Sequence, residues 1–146
     1  MKSQIAVGEG SGGLALLKGD GSALRRWSFP LGFSGAALQG RHLVVQTPAG
    51  LEDFDPATGA LRRTWTLRVA NARLADVQAG LVAYVAGTRV HLLRLTDGVE
   101  HVIRAPGAGP VQAQIEAPGL FYSYTAPGTK FPGRIAFVPF ARLFQR

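Results

Sequence analysis

The feature that most constrains the fold of this chain is a repeat of about 38 residues. Apolar runs open at Ile5, Leu43, Leu81 and Leu120, at intervals of 38, 38 and 39 residues. Three further sets keep the same register: Gly21, Gly59 and Gly98; Trp27, Trp65 and Ile103; and Leu38, Val77 and Ile115. A period of this length is typical of supersecondary units that stack on one another. The 146 residues therefore hold about four such units.

Each unit is predicted to consist of short strands joined by tight turns. In the clearest copy, 71–106, apolar runs of five to six residues are separated by Ala79-Gly80, Gly87-Thr88 and Asp97-Gly98. Runs of this length suit strands rather than helices. Asp-Gly between two such runs indicates a hairpin, because Gly accepts the positive φ of the turn. Across the chain the pattern predicts three, four, four and three strands, 14 in all, and no helix longer than one turn.

The segment 54–65 carries a recognisable motif. It reads Asp-x-x-Thr-Gly at Asp55, Thr58 and Gly59, followed by Trp65. This resembles the repeats of bacterial β-propellers of the quinoprotein-like or YVTN type, although their Trp usually lies four residues after the Gly, where this chain has Arg63. The Gly-His and Trp-Asp signatures of WD repeats are absent. The resemblance implies an all-β fold, a partial β-propeller of about 3.5 four-stranded antiparallel blades.

We predict one domain over 1–146, with blades at 1–32, 33–69, 70–107 and 108–146. The first copy begins at its second strand and the last ends after its third, so both are predicted to be incomplete. One interpretation is the C-terminal part of a longer propeller. The alternative is a half-ring that pairs with another copy or another chain. In both cases the exposed blade edges favour self-association or a protein partner.

Composition excludes several classes of protein. The absence of Cys excludes disulfides and thiolate metal sites. No apolar run reaches the roughly 20 residues of a membrane span, and the N-terminus does not read as a signal peptide. The compartment stays open, and export would need a signal upstream. The net charge of +7 comes with 13 Arg against 3 Lys. A GC-rich coding sequence would give such a composition, and a functional basic face is the alternative explanation.

Candidate catalytic and metal-binding residues form no complete pattern. His91 and His101 lie on adjoining strands of one hairpin, but a metal would need a third ligand, and His42 belongs to another repeat. Asp53 and Asp55 lack a calcium-loop pattern, so Asp55 is expected to cap its turn. The Gly-rich stretch 8–13 has no helix after it to hold a phosphate. We therefore predict no catalytic residue, no metal and no cofactor.

Two arginine pairs, Arg25-Arg26 and Arg62-Arg63, occupy equivalent positions in fourth strands. They are expected to blunt an exposed sheet edge, that is, to keep other strands from pairing with it. A basic rim that binds a polyanion is the alternative. Nucleic acid is not favoured, because the neighbouring tryptophans lie at positions that suggest packing within the blades rather than stacking on bases.

The longest departure from the repeat is the loop 125–133. Loops that interrupt a repeat often carry binding residues, and an insertion without function is the alternative. The candidate binding loop consists of Tyr122, Tyr124, Lys130, Phe131 and Arg134.

Two functions fit these observations. The first is a non-enzymatic β-propeller segment that acts as a protein-interaction or ligand-presenting scaffold. The alternative is a fragment of a propeller enzyme, such as a quinoprotein-like dehydrogenase, a lyase or a glycosidase, whose active site is completed by missing blades.

Overall fold

The computed structural model describes residues 4–130 and 132–144, with the side chains of 108–110 excepted. This part of the chain contains 14 strands, as predicted, and they form four antiparallel sheets of three or four strands. The chain divides into two compact units, of which the first ends at Arg68 and the second begins at Val69. The predicted all-β fold is confirmed. The predicted blade ranges stay a prediction.

Unit 1 contains two sheets whose strand order follows the chain. The first sheet consists of β1 (Gln4–Glu9), β2 (Gly13–Lys18) and β3 (Ala23–Ser28). The second consists of β4 (Gly35–Gln39), β5 (His42–Thr47), β6 (Gly50–Phe54) and β7 (Leu61–Trp65).

Unit 2 contains two more sheets with the same simple order. The third sheet consists of β8 (Arg73–Gln78), β9 (Leu81–Ala86), β10 (Arg89–Arg94) and β11 (Glu100–Arg104). The fourth consists of β12 (Ala108–Glu116), β13 (Gly119–Thr125) and β14 (Gly133–Pro139). A single helical turn, α1 (Phe140–Leu143), follows β14.

The core of unit 1 forms between the facing sides of its two sheets. Leu14 of β2 packs with Leu43 and Val45 of β5, together with Phe29 and Phe54. Alternation along each strand sends these residues to one side, as the apolar runs predicted.

Two donors on β3 tie the first sheet to the β6–β7 hairpin of the second. The indole Nε1 of Trp27 donates to the carbonyl of Gly59 at 3.2 Å, and Arg25 Nη2 donates to the carbonyl of Ala57 at 2.7 Å. Gly59 has φ +81°, a conformation that favours glycine, and a Cβ there would lie 2.7 Å from Arg25 Cδ. The turn glycine thus lets the hairpin approach β3 closely enough for both bonds.

Trp65 occupies the same repeat position as Trp27 but has different surroundings. Both rings are half-buried, which fits packing within the blades. Trp27 packs against Phe54 at 6.0 Å between ring centroids, whereas Trp65 lies under the guanidinium of Arg63 at 5.3 Å. The indole N–H of Trp65 is buried and has no hydrogen-bond partner among the described residues. The shared repeat position therefore does not give the polar ends of the two rings the same surroundings.

The core of unit 2 forms in the same way between the third and fourth sheets. Val90 and Leu92 of β10 pack with Ile115 of β12 and Leu120 of β13. A polar bond aligns the two sheets, because Oδ2 of Asp76 on β8 accepts the backbone N–H of Ile115 at 2.7 Å. The other oxygen, Oδ1, accepts the N–H of Val77 at 2.8 Å. One carboxylate therefore satisfies two backbone donors.

The two tryptophans provide a matched pair for a stability measurement. Trp27→Phe removes the bond to Gly59 and should lower the free energy of unfolding by about 1 kcal/mol more than Trp65→Phe, which removes no bond. Either ring replaced by Ala should cost about 3 kcal/mol. Denaturant unfolding of the four variants measures these differences. Equal losses for the two Phe variants would contradict the role of the Gly59 bond.

Asp76 offers a second test. Asp76→Ala leaves the buried N–H of Ile115 without its acceptor and should destabilise the chain by about 1–3 kcal/mol. Asp76→Asn keeps one carbonyl oxygen and should lose less. Thermal and denaturant unfolding measure both, and an Asn variant as unstable as the Ala variant would show that the negative charge, rather than the acceptor, matters.

Candidate functional site

The predicted binding loop is the connection between β13 and β14. It is closed by a bond from the N–H of Ala126 to the carbonyl of Pro132, at 2.7 Å. Lys130 is exposed within it, and Phe131 lies outside the described residues.

The other predicted site residues lie on the strands that flank this loop. Tyr122 and Tyr124 have ring centroids 6.0 Å apart and pack into the core of unit 2. Arg134 lies opposite Tyr124 on β14 and is exposed. The strand pair thus brings Tyr122, Tyr124 and Arg134 together, but both tyrosine rings support the core. The binding role of this set stays a prediction.

The opposite side of the fourth sheet carries an exposed apolar surface. Phe121 and Phe137 lie directly opposite each other on β13 and β14, with ring centroids 4.8 Å apart. Ile135, two residues from Phe137 on the same side, is 78% exposed. Gln112 and Gln114 of β12 flank them around a shallow cavity of about 230 Å³. We call the surface of Phe121, Ile135 and Phe137 the Phe121 face.

A second exposed apolar surface lies on the first sheet. Ile5 of β1 is 60% exposed, and Val7 is exposed on the same side of the strand. At the end of β1, Glu9 pairs with Arg26 of β3 at 3.3 Å. We call the surface of Ile5 and Val7 the Ile5 face.

One side of the third sheet carries a polar network. His91 and Tyr84 are cross-strand partners with stacked rings, 4.5 Å between centroids and 13° between planes. The hydroxyl of Tyr84 donates to Oε1 of Glu100 on β11. Nδ1 of His91 lies 3.3 Å from the same oxygen. Burial first, and the Glu100 carboxylate second, raise the pKa of Tyr84.

The two histidines of this hairpin do not meet. His91 pairs with Tyr84 on one side of the sheet, whereas His101 lies opposite Leu92 on the other side and contacts the ring of Phe144 at 4.7 Å. The two histidines are therefore not placed to share a metal, because adjacent cross-strand pairs face opposite sides. Within the described residues no group of three or more His, Asp or Glu side chains could hold a metal ion.

The carboxylates of the β6–β7 region have structural partners. Asp55 Oδ1 accepts the N–H of Ala57 at 2.8 Å, the turn-capping role predicted for it. The Arg62 guanidinium, at 2.8 Å, and this N–H hold the pKa of Asp55 below its usual range. Asp53 is buried and pairs with Nδ1 of His42 at 2.9 Å.

The four arginines of the two predicted basic pairs are all engaged. Their partners are the Ala57 carbonyl for Arg25, Glu9 for Arg26, Asp55 for Arg62 and the Trp65 ring for Arg63. The edge-blunting role and the polyanion alternative both stay predictions.

The chain is similar to solved β-propeller structures. BamB from Moraxella catarrhalis has a quinoprotein-like β-propeller fold and is 21% identical, with a TM-score of 0.59 over 83% of this chain. The computationally designed Ika4 protein is 11% identical, with a TM-score of 0.63 over 94% of this chain and 87% of that one. No protein-family model and no curated protein sequence matches.

These likenesses confirm the predicted fold, an all-β partial β-propeller. The chain spans 43% of the length of the BamB chain that it matches. Among the described residues, no helix has the length and apolar character needed to cross a membrane.

Tyr84 provides a titration test of the polar network. Its raised pKa means that folding favours the neutral phenol, so the stabilisation is complete below pH about 10 and is lost as pH rises further. Comparing phenolate absorbance of the native protein with Tyr84→Phe should therefore place ionisation of Tyr84 well above pH 10. Glu100→Gln should lower that midpoint without returning it to 10, because burial persists. A midpoint unmoved by Glu100→Gln would show that the carboxylate has no influence on this phenol.

Proposed function

We propose that this chain is a non-enzymatic β-propeller scaffold that assembles through its exposed sheet faces, with a second copy of the chain as its partner. The observation that carries the proposal is the exposed Phe121 face, with Ile135 78% exposed beside the Phe121–Phe137 ring pair. The blades of the proposal are those predicted above, one for each of the four sheets.

Repeat architectures explain why this face needs a partner. A sheet of a repeat buries its apolar side only against a neighbouring repeat, and terminal repeats of soluble arrays carry polar outer surfaces. The Phe121 face does not have that polar character. At about 25 cal/mol per Å² of apolar surface, covering two Phe rings and an Ile would contribute several kcal/mol towards association.

The Ile5 face is the complementary surface for a second copy. Inside each unit, sheets pack face to face through aliphatic side chains, as Leu14 packs with Leu43. Packing of the Phe121 face of one copy on the Ile5 face of another would repeat this contact head to tail. Two copies present eight sheets, at the upper end of the four to eight blades that propellers generally use. The net charge of +7 per copy opposes the contact, so added salt should strengthen it.

Ile135→Lys tests the proposal, with Leu31→Lys as its control. Both residues are strongly exposed, at 78% and 84%, and both variants add one positive charge, but Leu31 lies on a loop of unit 1. Analytical ultracentrifugation should find a dimer for the native chain and for Leu31→Lys. Ile135→Lys should raise the dissociation constant at least tenfold, and Ile5→Lys should do the same from the other face.

The assembly outcomes are distinguishable. A series of larger oligomers, also broken by Ile135→Lys, would show a head-to-tail contact that does not close. A folded monomer at all concentrations, or equal effects of Ile135→Lys and the control Leu31→Lys, would contradict the proposal.

A further inference from the structure

A cavity of about 370 Å³ opens beside the end of the β10–β11 strand pair, in unit 2. Its polar lining comes from Arg89, His91 and Arg104, together with the turn residues Gly87 and Thr88. This site is separate from the Phe121 face, and its argument does not depend on the scaffold function.

The two arginines of the cavity are placed where like charges repel. Arg89 and Arg104 are direct cross-strand partners, so their side chains leave the sheet on the same side. Both are exposed, and neither has an ion-pair or hydrogen-bond partner among the described residues. Like charges directly opposite each other destabilise a strand pair. A negatively charged group held between them would turn this repulsion into attraction.

His91 supplies a third group, and it is unsatisfied. The side chain is on the same side of β10 as Arg89, two residues along, and the residue is only 4% exposed. Its Nδ1 faces Glu100, and the two nitrogens of an imidazole point to opposite sides of the ring, so Nε2 is directed away from Glu100. That Nε2 is buried and has no hydrogen-bond partner among the described residues. A buried polar atom without a partner is costly and points to a bound water, ion or ligand.

A water molecule would satisfy Nε2 but would leave the two guanidinium groups facing each other. A group that satisfies all three must carry negative charge and several acceptor oxygens. Arginine side chains bind phosphate and carboxylate groups through paired N–H donors, with the geometry that these anions match.

We propose that this cavity binds an oxyanion, the phosphate or carboxylate group of a small ligand, between the guanidinium groups of Arg89 and Arg104 and against Nε2 of His91. The arginines supply charge and donors from two strands. Nε2 accepts a hydrogen bond from a protonated oxyanion oxygen, or donates one to an unprotonated oxygen when the ring carries both protons. Glu100 and Tyr84 are positioning residues, because their bonds hold the ring with Nδ1 away from the cavity.

The test is titration of the full chain with inorganic phosphate and, in a separate arm, with succinate, at constant ionic strength set with chloride. Binding is followed by calorimetry and by the NMR signals of the His91 ring. At least one anion should bind saturably at one site per chain and shift those signals. The arm that binds more tightly identifies phosphate or carboxylate as the preferred group.

Arg104→Gln and Arg89→Gln should each weaken this binding at least tenfold. Arg41→Gln is the matched control, since Arg41 is exposed in the turn between β4 and β5 and loses the same charge. The cavity variants should also raise the midpoint of thermal unfolding without anion, because each removes the cross-strand repulsion, whereas the control should not.

Two results would overturn the proposal. One is the absence of saturable binding of either anion. The other is weakening by Arg41→Gln as large as that by the cavity variants, which would indicate a general effect of charge. Because the cavity variants replace exposed side chains, they should stay folded, and the unfolding curves verify this in the same samples.

Discussion

Face-to-face packing of neighbouring antiparallel sheets is the interaction on which the rest of this structure depends. A sheet of three or four strands with an apolar side gains its stability by burying that side against another element. In unit 1 the contact is made by residues such as Leu14 and Leu43, and in unit 2 by Val90 and Ile115. The exposed Phe121 and Ile5 faces are surfaces of the same kind without a cover inside the described units.

Polar bonds then set how the packed sheets align, since apolar packing has little directional preference. In unit 1 the Gly59 carbonyl receives the indole N–H of Trp27, and in unit 2 Asp76 receives the N–H of Ile115. The two devices differ chemically, but each joins a strand of one sheet to the backbone of the next. Alignment is therefore built from whichever donor and acceptor the local sequence provides.

Much of the fold could be predicted because its signals are local. Alternating and continuous apolar runs predict the strands, and turn glycines such as Gly59 and Gly98 adopt the positive φ that their Asp-containing turns require. The candidate sites are harder, because they depend on which side of a sheet each residue faces. One step along the β10–β11 strand pair puts His91 and His101 on opposite sides of the sheet. In the same way Tyr122 lies in the core while its neighbour Phe121 is exposed. The pairing of Arg89 with Arg104 depends on strand register, which no single run of sequence contains.

The contrast between Trp27 and Trp65 bears on what one repeat position requires of its side chain. At the first position the surroundings use both a large ring and a donor, with the turn carbonyl 32 residues away in reach. At the second only bulk is required, since the indole N–H binds nothing among the described residues. Ile103, at the same place in the next copy, is the kind of replacement that this relaxed requirement accepts. Repeats with the same strand pattern can therefore differ in how strictly one shared position specifies its side chain.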